Sequence, residues 1–380
     1  MFLNKFNIKI IKLISHILKY PTPININYLW SFGFLAGICL GLQFISGFFL
    51  TMFYIPNSDL AFDSIEYIMR DVKNGWLLRY MHMNTASFFF IILYIHIAKG
   101  LYFSSFIKSN KYVWISGIFL FLLVMATAFL GYVLPWGQMS YWGATVITNF
   151  FSIIPIIGNI FIKWLWGGFS VSGITLTRFF ALHFLIPFLI LFFIAVHLAI
   201  LHIEGSSNPL GTDSVNNLPF LLFFTSKDLH SFTVFLFFLS AFIFFWPNLL
   251  GHPDNYILAN SQITPTHIVP EWYFLPFYAI LKSFPSKTVG VIMMFLSILI
   301  VALLPLFTSE LYIQAPEFKF LQEEMNILLF SSFICLGYLG QLSPSLLIIK
   351  FSFIFSIIYF TTLIYSILNP CQNNLTSKLN

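Results

Sequence analysis

The sequence has 380 residues, of which 59% are hydrophobic, 20% aromatic and only 8% charged, whereas an ordinary soluble domain carries about 25% charged residues. Its 18 Lys and Arg and 13 Asp and Glu, a net +5, stand against 50 Phe; so little charge cannot clothe a water-facing surface of this size, and the solvent must be lipid. Glycine shows no period and heptads are absent, which excludes collagen and coiled coil, and the long apolar runs exclude an outer-membrane barrel, whose strands alternate over about 10 residues.

In chain order, an amphipathic stretch from Phe2 to Leu18, flanked and punctuated by Lys5, Lys9, Lys12 and Lys19, reads as a helix on the membrane surface, stopped by Pro21 and Pro23. Apolar runs long enough to cross a bilayer follow at 28–53, 76–103, 112–134, 174–202, 229–247, 287–308, 325–341 and 345–367, here lettered A to H. Between C and D, the stretch from Pro135 to Ser172 is apolar but broken by Gly137, Gly143, Pro155, Gly158, Gly167 and Gly168, as expected of short helices in the interface. Between E and F, the proline-rich, aromatic stretch from Pro247 to Lys287 reads as an ordered functional loop on one membrane face. The expected fold is therefore an all-α integral membrane protein with eight transmembrane helices, organised as 1–210 (spans A to D, a four-helix bundle) and 211–380 (spans E to H). Cys39, Cys335 and Cys371 are too far apart for a C-x-x-C pair, so no disulfide framework, iron–sulfur site or thioether haem attachment is expected.

Eight spans put both termini on one side. The lysine-rich N-terminus, with Lys99 at the end of span B and Lys108 and Lys111 in the connection to C, marks that side as the negative one. The A to B connection carries Asp59, Asp63, Glu66 and Asp71 against Arg70 and Lys73.

Four of the nine histidines fall inside spans: His82 and His96 on B, His183 and His197 on D. Each pair is fourteen residues apart, which on an α-helix is nearly four whole turns and a rise of about 21 Å. B and D run in the same direction, so His82 lies level with His183 and His96 with His197. Imidazole is costly in hydrocarbon and a good axial ligand for iron, and opposed imidazoles at two depths would complete two flat macrocycles. By chance, nine histidines give about 0.2 pairs at any one spacing, and histidine is rarer still within membrane spans. Gly33 and Gly47 on A and Gly117 and Gly131 on C repeat the spacing, in reverse direction, so Gly33 and Gly117 fall at the depth of His96 and the other two at that of His82. Without a Cβ the backbone there can approach a macrocycle edge closely. Iron with two histidines has no open position for oxygen, which points to electron transfer, and the absence of cysteine attachment points to b-type haems. Arg79 and Arg178 above and Lys99 below suit haem propionates, or else snorkel to the headgroups. A proton-coupled transporter using histidine relays is the competing class. It calls for discontinuous helices, and the middles of B and D carry no proline, Pro187 being a mild exception.

The blocks GYVLPWGQMSYWGATVITN from Gly131, LTRFFALHFLIPF from Leu176, GSSNPLG from Gly205 and PEWYFLPFYAIL from Pro270, with the two ladders, resemble the cytochrome b family of mitochondrial respiratory complex III, ubiquinol–cytochrome c reductase. The resemblance covers nearly the whole chain. It implies a low-potential haem on His82 and His183, a high-potential haem on His96 and His197, and a catalytic role for the chain within the complex. It implies a ubiquinol oxidation pocket on the positive face with Glu271, Tyr278 and Gly143, and a ubiquinone reduction site on the opposite face with His202 and Asp228. An apolar setting would raise the Glu271 pKa into a range useful for accepting quinol protons, and a histidine with a carboxylate at the aqueous rim can relay protons to reduced quinone. The implied partners are the Rieske iron–sulfur protein, cytochrome c1, further complex subunits, a second copy of the complex and membrane lipid, with no nucleic acid. The implied location is the mitochondrial inner membrane with both termini on the matrix side. Lys99 departs from the arginine common in the family and would offer a point charge without a fork, and the acidic residues Glu310, Glu317, Glu323 and Glu324 before span G, with spans G and H themselves, match only loosely.

Overall fold

In the computed structural model, the structure describes residues 20–107, 110–211, 214, 216–307 and 320–368. The surface helix expected over Phe2 to Leu18 lies outside the described residues. A short turn over Tyr28–Ser31, capped by the Asn27 side chain accepting from Leu29 N at 2.9 Å, leads into α1 (Phe32–Thr51). Then come α2 (Ala61–Arg70), α3 (Gly75–Tyr102), α4 (Lys111–Val133), α5 (Gln138–Thr148), α6 (Gly158–Trp166) and α7 (Gly173–Glu204). The second half comprises α8 (Phe220–Phe245), α9 (Leu275–Ser283), α10 (Lys287–Phe307), α11 (Phe320–Gln341) and α12 (Leu346–Leu368). Strands β1 (Pro21–Pro23) and β2 (Asn217–Pro219) pair antiparallel, with Thr22 opposite Leu218.

Among the described residues, seven of the eight expected spans are helices long and apolar enough to cross a membrane. Span G corresponds to α11, which has the length. Its early turns carry Gln322, Glu323, Glu324 and Asn326, and Gln322, Asn326 and Ser332 are buried, so its polarity is spent on packing and lowers its hydropathy. Span E begins earlier than its apolar run suggests. Leu221 and Leu222 are non-helical, with Leu222 at φ 76°, and Thr225 Oγ1 accepts from Leu222 N at 2.9 Å to cap the turns that follow. The broken stretch between C and D forms α5 and α6 as expected. Helix α2, a short amphipathic helix between A and B, and α9, inside the long E to F loop, have no counterpart among the expected elements.

Two helix couples build the N-terminal bundle: α1 packs along α3 and α4 along α7, whereas neither couple packs closely on the other. Helix α3 is the most enclosed, with Asn84, Thr85, Ser87 and Phe88 to Phe90 all buried. Helix α7 lies at the periphery, with few of its apolar residues buried. It starts with a reciprocal cap between Ser172 and Thr175, where Ser172 N donates to Thr175 Oγ1 at 3.0 Å. Helix α8 packs on α1 and α3, while α9 to α12 gather around a second apolar cluster that includes Ile280, Leu304, Leu336 and Leu363. The indole of Trp114 on α4 donates to Val301 O at 2.7 Å and ties this cluster to the bundle.

Candidate functional site

His82 and His96 on α3 face His183 and His197 on α7 across the gap between the couples. The rings of His82 and His183 stand 6.2 Å apart, nearly perpendicular at 82°. Two imidazoles bound to one metal ion at about 2 Å each would place their centroids about 6 Å apart. The two rings also line a cavity of about 280 Å³ that opens between the couples and includes Gln43, Gly47, Arg79, Gly131, Tyr132 and Glu271.

What orients these imidazoles comes from the other helix of each couple. Ser46 Oγ on α1 donates to Leu42 O at 2.6 Å and lies 2.9 Å from His82 Nδ1. Its proton is committed, so the ring nitrogen must be the donor. Ser116 Oγ on α4 repeats the arrangement, donating to Val113 O at 2.9 Å and sitting 2.8 Å from His197 Nδ1. His183 Nδ1 donates directly to Thr127 O at 2.8 Å. In all three, Nδ1 carries the proton and Nε2 is left with a free lone pair, the tautomer a metal-binding histidine needs. Among the described residues, His96 Nδ1 has no such partner.

The four ladder glycines lie where alternating helix directions put them. A Cβ on Gly47 would meet His82 Cε1 at 3.1 Å, on Gly131 His183 Cε1 at 2.5 Å, on Gly33 His96 Cε1 at 3.3 Å and on Gly117 His197 Cε1 at 3.2 Å. The missing side chains thus leave each imidazole edge lying directly against the backbone of the companion helix. The flanking residues carried a signal: Ile-Ser-Gly occurs at 45–47 and again at 115–117, giving both serine anchors beside both glycines.

Of the basic residues, Arg79 lines the cavity. Lys99 Nζ sits 4.1 Å above the Trp30 ring, whose indole donates to Ser207 O at 2.8 Å. Arg178 instead reaches across to the Trp164 carbonyl on α6.

Glu271 precedes a turn over Trp272–Phe274 that is clamped onto one face of α3. The Trp272 indole donates to Ser87 Oγ at 3.1 Å, Tyr273 stacks on Phe90 at 4.0 Å and 3°, and Tyr94 Oη donates to Tyr273 O. Positions 87, 90 and 94 share a helical face, so the helix that carries two histidines also holds the glutamate loop. Burial pushes the Glu271 carboxyl up to about 7, against the Tyr132 hydroxyl and the Arg79 guanidinium, which pull it down. Tyr278 and Gly143 do not line this cavity. Tyr278 Oη donates to Ile268 O at 3.1 Å beneath Lys282 Nζ, which lies 4.5 Å from its ring, and Gly143 faces open space.

At the other end, His202 ends α7 and stacks on Tyr20. Asp228, early in α8, faces the Ser31 hydroxyl, and its neighbour Lys227 donates to Ile26 O at 2.8 Å.

Residues 17–205 match the family described as Cytochrome b/b6/petB, and residues 258–360 match Cytochrome b(C-terminal)/b6/petD. The chain is 54% identical to cytochrome b of Cyanidium caldarium over 86% of its length and 85% of that protein. The chain belongs to the cytochrome b family. Cytochrome b of Chondrus crispus is 53% identical over 92% of this chain and 93% of its own, and that of Phytophthora megasperma 55% over 86% and 85%. A solved structure described as a hyperthermophilic respiratory complex III has the same fold, with a TM-score of 0.88 and 32% identity over 92% of this chain and 93% of that one. The cytochrome b fold makes the chain an integral membrane protein that binds b-type haem, and the transporter reading falls, since α3 and α7 run unbroken through 28 and 32 residues.

Proposed function

We propose that the chain is the cytochrome b subunit of a ubiquinol–cytochrome c reductase, holding one b-type haem between His82 and His183 and a second between His96 and His197. The observation that carries this is the facing of His82 and His183 at metal-bridging distance, each with its Nδ1 proton spent on the neighbouring helix. The residues fit the group: two helix couples stand apart around a cavity, four imidazoles project from them, and Arg79 lines the upper level. Bound there, the haems supply one-electron transfer between two depths of the bilayer.

The chain's own residues handle quinone and protons. Near the upper pair, ubiquinol is oxidised and Glu271 accepts a proton, its carboxyl poised near neutrality by burial; the resemblance also assigns Tyr278 and Gly143 to this pocket, from outside the cavity that Glu271 lines. At the opposite rim, ubiquinone is reduced and takes up protons by way of His202 and Asp228. Lys99 supplies positive charge beside the lower pair. The two proton events face opposite sides, contributing to a proton gradient. The resemblance to a complex III structure supports assembly with a Rieske iron–sulfur protein, cytochrome c1 and a second copy of the complex in the mitochondrial inner membrane. The lysine distribution supports termini on the matrix side.

A reduced-minus-oxidised optical spectrum of the purified complex, titrated against potential, tests the reading. Two b-type components at about two haems per chain are expected; a single component would remove one histidine pair from the proposal. The glycine contacts sharpen it. In Gly131→Ala the new methyl overlaps an imidazole already tied to Thr127 O, so the upper component should be depleted, whereas Gly33→Ala, with its 3.3 Å approach, should retain both. Equal haem content in the two variants would contradict this ordering.

A further inference from the structure

Tyr20 occupies a position that nothing in the ladder or the family blocks accounts for. Its backbone carbonyl accepts from Phe220 N at 2.9 Å, extending the β1–β2 pairing to the start of α8. Its hydroxyl donates to Leu201 O at 3.3 Å, at the last turn of α7, with the Ser206 hydroxyl beside it. Between these two fixed points, its ring lies flat on the His202 imidazole, 4.5 Å between centroids and 20° between planes. Hydrogen-bonded at both ends, the phenol is a rigid plate against an otherwise exposed histidine at a helix end.

We propose that Tyr20 is a positioning residue for quinone reduction, holding the His202 imidazole at the rim where the quinone takes up protons. The inference rests on the reading of His202 given above and adds a specific cause for its orientation. An unsupported imidazole at a helix terminus samples several staggered rotamers, and stacking on a ring anchored at both ends selects one. The hydroxyl anchors the plate, while the aromatic face does the positioning, so phenylalanine should substitute well and leucine poorly.

The test is the rate at which added ubiquinone reoxidises pre-reduced b-type haem in the purified complex, for Tyr20→Leu and Tyr20→Phe, each alone and combined with His202→Asn. Tyr20→Leu should slow reoxidation by about three- to tenfold, in line with the worth of an aromatic pair, and Tyr20→Phe should stay within about twofold of the unaltered rate. In the His202→Asn background, which should itself be slow, Tyr20→Leu should add nothing. An unchanged rate in Tyr20→Leu, a Phe variant as slow as the Leu variant, or a further loss in the Asn background overturns the proposal, the last because Tyr20 would then support the β1–β2 pairing alone. If His202→Asn runs at the unaltered rate while Tyr20→Leu is slow, the role of His202 fails first and the two failures are distinguished.

Discussion

Replacing His183 with leucine is expected to remove one of two b-type components from the optical spectrum and to lower quinol-dependent cytochrome c reduction by on the order of a hundredfold or more. Loss of an outer partner that merely orients a ligand costs about 10- to 100-fold in metal affinity, and loss of the ligand itself must exceed that. Ser46→Ala provides the graded comparison, because it deletes the acceptor of the His82 Nδ1 proton and leaves the ring; it should weaken haem retention without abolishing it. His183→Leu with both components intact would remove the imidazole pair from the proposal. A Ser46→Ala complex as depleted as His183→Leu would show that Ser46 does more than orient.

Glu271→Gln carries the second large effect. A carboxyl raised to about 7 ionises across the neutral range, and only the carboxylate can accept a proton from quinol. Quinol oxidation should therefore rise with pH up to about 7 and level off above it. The Gln variant should lose about 10²-fold or more in rate, the usual worth of a placed base, and with it that pH limb. An unchanged rate, or an unchanged pH limb in the variant, would sink the assignment. The same shift fixes the sign of a stability effect. Between 4.5 and about 7 the unfolded chain gives up the Glu271 proton while the folded chain keeps it, so this group's stabilising contribution is lost as pH rises through that window. Thermal unfolding of Glu271→Gln should lack that decline.

The spans and the histidine pairs were legible because each rests on one helix's own period. Fourteen residues between His82 and His96, or between Gly117 and Gly131, determine face and depth with no knowledge of the neighbours. The partners across helices were not legible. Ser46 bonds back to Leu42 O as any serine in an apolar helix does, and only packing shows that its lone pair also serves His82. The clamp of Ser87, Phe90 and Tyr94 on the Trp272 turn joins residues about 180 positions apart in the chain, beyond the reach of any local pattern. Helix α2 was not legible because Asp63, Glu66 and Arg70, which share its solvent face, break up the apolar residues along a chain of only 10 residues, so that no continuous apolar run marks it. The β1–β2 pair was not legible because each strand has only three residues, β1 being Pro-Thr-Pro and β2 ending in Pro219.

The two helix couples have one more consequence, for how tolerant the bundle is of error. Both histidines of the α1–α3 couple sit on α3, both of the α4–α7 couple sit on α7, and the glycine beside each lies on the companion helix. Each couple is thus a finished leaf carrying half of two coordination sets. A slip of α7 along α3 by one residue would shift it by 1.5 Å and 100°, spoiling the upper and lower levels together. Conversely, whatever fixes the leaves in register at one depth has already aligned the other, so the two levels mature as one unit. Spacing within a leaf is set by glycine and serine; spacing between leaves is left to what they enclose.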